Sequence, residues 1–84
     1  MNDTKLLAKA VRDPAACRFT EIQTLAGAFG FHLSRVTGSH HIYTHPGIPE
    51  LLNLQSVKGM AKAYQVRQLL RLVERYNLEL EPNP

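Results

Sequence analysis

Phe31-His32-Leu33-Ser34-Arg35-Val36-Thr37-Gly38-Ser39-His40-His41-Ile42-Tyr43-Thr44-His45, residues 31–45, is the stretch that decides the fold. From Phe31 to Val36 the residues alternate with period two, the pattern of a half-buried strand. Thr37-Gly38 interrupts it with a turn, and glycine takes positive φ there at little cost. Ser39 to His45 then reads as the second strand of a hairpin. Pro46-Gly47-Ile48-Pro49 is a loop, Glu50 to Val57 a third strand, and Lys58-Gly59 a second loop.

Outside this block the period lengthens. Upstream, Phe19 to Gly30 places Ile22, Leu25, Ala26 and Phe29 at i, i+3, i+4, i+7, the stripe of an amphipathic helix. Thr20 and Gln23 have the spacing of a capping box at its start. Gly30 stands where a left-handed C-cap is wanted. A shorter helix, Thr4 to Arg12, presents Leu6, Leu7, Ala10 and Val11 on one face and stops at Asp13-Pro14. It is too short to persist alone, so it must dock on the rest. Downstream, Ala63 to Leu78 is the last helix, with Val66, Leu69, Leu70 and Val73 as its apolar stripe. Arg67, Arg71 and Arg75 form a ridge on another face, read equally well as a solvated face or a binding surface. Glu81-Pro82-Asn83-Pro84 reads as a frayed tail.

The predicted order is α-α-β-β-β-α: an α+β fold with a three-stranded antiparallel sheet and helices on one face. The opposite face is left open. At 84 residues the chain is one domain with a small core. Its 44% apolar content is enough to drive folding. The formal charge is +3 and the sequence pI about 9.4. The excess is concentrated: Arg35, Lys58, Lys62, Arg67, Arg71 and Arg75 face only Glu50 and Glu74 across half the chain. Such a half-surface suits a polyanionic partner. A single cysteine, Cys17, excludes an internal disulfide and a thiolate-rich zinc site, and fits a small buried hydrophobe. No apolar run reaches signal-peptide or membrane-span length, so a cytoplasmic location is expected.

Three of the four histidines fall within His40 to His45. As metal ligands they are badly spaced. His41 and His45 share a strand face but stand about 13 Å apart along an extended chain, and His40 points the other way. As catalysts they lack a neighbouring carboxylate, and Ser39 beside His40 is no triad. Which of Ile42 and Tyr43 faces the core is open on alternation alone. Composition and spacing reach as far as a small basic α+β domain suited to RNA.

The string Gly38-Ser39-His40-His41-Ile42-Tyr43-Thr44-His45-Pro46 resembles the signature of HicA-family toxins, a Gly-Ser/Thr-His-x-x-aromatic motif followed by His-Pro. Ala28-Phe29-Gly30-Phe31 looks like the family's first helix-to-strand junction. Lys58-Gly59 leading through Lys62 into Tyr64-Gln65-Val66-Arg67-Gln68-Leu69-Leu70 is similar to its last. The resemblance covers about Phe19 to Leu78, with the helix at 4–12 an addition. It implies a fold like the double-stranded-RNA-binding domain. It implies a metal-independent, cofactor-free endoribonuclease that cleaves messenger RNA, blocks translation and is neutralised by a HicB antitoxin. The motif's first histidine, His40, would be catalytic; Ser39, Lys58, Lys62 and Arg67 would contact the substrate. Tyr43 would then face the core, with His41 and His45 beside it in structural roles and His40 on the open face. The competing reading is a non-catalytic RNA- or protein-binding module on the same fold.

Overall fold

Asn2 starts the first helix: its side-chain oxygen accepts from the Lys5 N–H at 2.9 Å, satisfying one donor of the first turn. The computed structural model describes residues 2–82. In it α1 runs Asp3–Arg12, a short 3₁₀ turn follows at Pro14–Ala16, and α2 runs Phe19–Ala28. Strands β1 (His32–Thr37), β2 (His40–His45), β3 (Ile48–Val57) and β4 (Met60–Ala61) come next, and α3 (Ala63–Arg75) closes the order. The sheet is antiparallel in the order β1-β2-β3-β4. The α+β fold with helices after and before a three-stranded meander is therefore present, extended by a two-residue fourth strand. That strand forms because Lys58-Gly59 turns tightly, both residues at positive φ, and folds Met60 back onto Val57.

The core lies between the sheet and the helices. Tyr43, Leu52 and Leu54 of the sheet meet Ile22, Leu25 and Ala26 of α2 and Val66, Leu69 and Leu72 of α3, all buried. Each fully buried leucine contributes roughly 1.5–3 kcal/mol of transfer free energy. The added helix α1 docks through Leu6 and Ala10. Lys9 reaches Glu21 of α2 at 2.8 Å and bolts the two helices together. At the far end Arg75 pairs with Glu50 of β3 at 3.1 Å, and the Tyr76 hydroxyl donates to the same carboxylate.

Several local expectations are corrected. The box at the start of α2 is not Thr20 with Gln23: because the helix begins at Phe19, the N-cap is Arg18, and Glu21 accepts from its N–H at 2.9 Å. Strand β1 is exposed along its whole length rather than half-buried, since the helices pack over β3 and only Phe31, just before the strand, turns inward. A bulge between Leu33 and Arg35 also breaks its alternation. Ile48 and Pro49 belong to β3, leaving only Pro46-Gly47 as loop. Helix α3 ends at Arg75, with Asn77 at φ 52 beyond it. Glu81 is not frayed, as its N–H donates to Ala28 carbonyl at 2.7 Å; Asn83 and Pro84 lie outside the described residues.

Candidate active site on the open face of the sheet

Tyr43 fixes which way β2 faces. Its side chain is buried, and Gln23 of α2 donates to its hydroxyl at 3.1 Å. Alternation then puts His41 and His45 on the helix side and His40, Ile42 and Thr44 on the open side. The His41 ring meets the Phe19 ring edge-on at 4.8 Å between centroids, and its Nδ1 lies 3.3 Å from the Ser39 carbonyl. His45 is fixed at both nitrogens, with Nε2 3.1 Å from the Phe29 carbonyl and Nδ1 accepting from the Gly47 N–H at 3.0 Å. Both rings are spent on structure. His32 lies exposed on the edge strand β1.

His40 is half-buried on the open face at the start of β2. Its cross-strand neighbours are Thr37 of β1 and Gln55 of β3. Across the next row stand Arg35, Ile42 and Asn53. Directly paired residues share a face, so these six side chains form one surface. His40 Nδ1 lies 3.1 Å from Asn53 Nδ2 and 3.3 Å from Asn53 Oδ1. Its Nε2 has no protein partner among the described residues.

A chain of contacts runs from this histidine to the start of α3. The Gln55 side chain donates to Ser39 Oγ at 3.1 Å. The Gln55 N–H donates to the Gln65 side chain at 2.7 Å, and Gln65 Nε2 reaches the Tyr64 hydroxyl at 3.4 Å. Lys62 Nζ sits 5.9 Å from the centre of the Tyr64 ring, whose residue is 57% exposed. The β1–β2 and β3–β4 turns lie at the same end of the sheet, so Ser39, His40 and Lys58 share that end. Arg67 stands apart from His40, further along α3. It lines an open concavity of about 450 Å³ with Val11, Pro14, Leu70, Arg71 and Glu74. The third arginine of the ridge, Arg75, is held by Glu50.

Sequence reasoning overlooked Asn53, Gln55 and the placement of Arg35. The first two could not be aligned with His40 without knowing how many residues the β2–β3 loop spends. Arg35 was within reach, because a two-residue turn at Gly38-Ser39 by itself sets Arg35 opposite Ile42. Cys17 is buried, its Sγ 3.6 Å from the Asp13 carbonyl, and burial pushes its thiol pKa up. Among the described residues no three His, Cys, Asp or Glu side chains gather in one place.

Residues 19–74 match the family model of the HicA toxin of bacterial toxin-antitoxin systems, two-thirds of the chain. The chain belongs to the HicA toxin family. No curated protein and no solved structure gives a significant match. The HicA span opens on the first residue of α2 and ends within the last turn of α3, so it contains the whole sheet and His40, and leaves α1 outside. Membership makes this HicA chain the toxin of a toxin–antitoxin system and implies an antitoxin as its partner. Among its described residues no helix is long and apolar enough to cross a membrane.

Proposed function

We propose that this HicA-family toxin is a metal-independent endoribonuclease that cleaves messenger RNA in the cytoplasm and so blocks translation, with His40 as its catalytic residue. The observation that carries this reading is the position of His40. Its Nδ1 is held by Asn53 while Nε2 is left for a ligand, on the one sheet face that the helices do not cover. His41 and His45, on the same strand, are tied into the fold instead.

The chemistry is transesterification. His40 Nε2 takes the proton of a ribose 2′-OH as that oxygen bonds to phosphorus. The P–O5′ bond breaks, leaving a 2′,3′-cyclic phosphate, and the departing 5′-oxygen takes its proton from water. In the alternative assignment His40 is the general acid that protonates the 5′-oxygen, and water takes the 2′-OH proton. Help of this kind is worth about 10²–10⁴-fold. Charge developing on the phosphoryl oxygens is met by Lys58 at the same end of the sheet and by Arg35 in the next row of that face. Ser39, oriented by Gln55, offers its hydroxyl to the RNA backbone. Lys62 with the exposed Tyr64 gives a cation beside a stacking surface, and Arg67 continues this track along α3. A HicB-type antitoxin would silence the enzyme by covering the open face.

The test is induced expression of wild-type and His40→Ala protein, with growth followed and total RNA run on a gel. Arrest and RNA loss with wild type alone is the expected result. Equal RNA loss with both proteins would remove His40 from the mechanism. Tight RNA binding without cleavage by either would favour the alternative, a non-catalytic RNA- or protein-binding module on the same fold.

A further inference from the structure

A neutral imidazole can serve as a base at Nε2 only if its proton sits on Nδ1. Something must therefore accept a hydrogen bond from Nδ1–H. The group facing Nδ1 of His40 is the side-chain amide of Asn53, with both its oxygen and its nitrogen within hydrogen-bond distance. The two orientations of that amide have opposite effects. If Nδ2 donates, the Nδ1 lone pair is occupied, the proton moves to Nε2, and the base is blocked. If Oδ1 accepts, Nε2 is free.

The cross-strand register makes the partnership rigid. Asn53 is paired with Ile42, two residues along β2 from His40, and is half-buried within β3 between the fully buried Leu52 and Leu54. No other side chain among the described residues bonds to the His40 ring.

We infer that Asn53 is a positioning residue. Its amide oxygen accepts from His40 Nδ1–H, fixes the ring plane and directs the Nε2 lone pair away from the sheet. The same bond persists once Nε2 is protonated, because the imidazolium keeps Nδ1–H. The amide dipole therefore favours the charged intermediate without carrying a formal charge. The contact between Asn53 and His40 Nδ1 is observed; the choice of Oδ1 over Nδ2 as the atom facing it rests on the ribonuclease reading.

The experiment uses the full chain with ¹⁵N-labelled histidine, as wild type, Asn53→Asp and Asn53→Leu. The His40 signals are identified by their loss in His40→Ala. Nitrogen NMR reports which ring nitrogen carries the proton in the neutral form. Wild type and Asn53→Asp are expected to hold it on Nδ1, and Asn53→Leu to lose that preference. RNA cleavage is expected to fall on the order of 10- to 100-fold in Asn53→Leu and to survive in Asn53→Asp. The carboxylate favours the protonated ring, so the rising limb of that variant's pH–rate profile should move to higher pH.

A proton on Nε2 in wild type would overturn the inference, as would an Asn53→Leu protein with the wild-type tautomer and rate. Equal loss of rate in both variants with an unchanged tautomer would mean a merely structural Asn53. If wild type cleaves no RNA, the ribonuclease reading falls, and the tautomer still decides what Asn53 does to His40.

Discussion

Gly30 and His45 show how closely single residues are matched at the junction of α2 and β1. Gly30 follows the C-cap Phe29 at φ +93, a conformation that costs an L side chain energy. A methyl group there would stand 3.0 Å from His45 Nε2, the atom bonded to the Phe29 carbonyl. Gly30→Ala therefore combines backbone strain with a clash against a ring that cannot swing away. It is expected to lower unfolding free energy by about 1–3 kcal/mol. Urea titration with an unchanged m-value checks this; a loss under about 0.5 kcal/mol would mean the ring shifts freely. This glycine was readable from the sequence, because Phe-Gly after an amphipathic run is a helix stop. Asn53 was not. Nothing about an asparagine among leucines says which strand position opposite it holds a histidine.

Between elements, the contact to weigh is Lys9–Glu21, which joins the added helix α1 to α2. The Lys9 ammonium, helped by the Arg18 N–H, holds the Glu21 carboxyl below its ordinary range. A carboxyl whose folded-state pKa is depressed gives stability that is complete above its unfolded value, about 4.3, and is lost as pH falls through the folded value. Wild type should thus lose part of its stability on acidification below about pH 4.5. Lys9→Met should flatten that slope, with a difference at neutral pH of roughly 0.2–1 kcal/mol. Thermal unfolding from pH 3 to 7 reads both effects; identical pH slopes would remove the pair from the stability of the helix junction. Helix positions were legible here because a 3.6-residue stripe survives any cap. The cap itself was misread, since Arg18 is an unusual N-cap and Thr20 a good one. The exposure of β1 was equally out of reach: alternation describes a strand, not whether a helix lies above it.

For the whole molecule, charge placement matters more than net charge. Lys58, Lys62, Arg67 and Arg71 follow one another from the end of the sheet along α3, and none is paired with an acid among the described residues. On the proposed reading an RNA strand on this track would release counterions as it binds, and affinity would fall steeply with salt. In the His40→Ala background, which the proposed function makes inactive, Lys62→Gln or Arg67→Gln should each reduce the slope of log affinity against log salt by about 0.7. The loss should be alike for unrelated RNA sequences. An unchanged slope for Arg67→Gln would end the track before the helical face. The sequence showed these cations as a count and a spacing. That Arg67 opens onto α1, while Lys58 shares the sheet end of His40, required the chain to be folded.

The exposed first strand has one more consequence. A flat, unpaired strand edge invites a second molecule to continue the ladder, and from there a fibril. Here the bulge at Ser34 twists the edge and Arg35 places a like charge against any copy that approaches in register. Leu33 and Val36, 49% and 52% exposed, are thus displayed without offering a template for stacking. This edge is guarded by its own irregularity and charge rather than by a neighbouring strand.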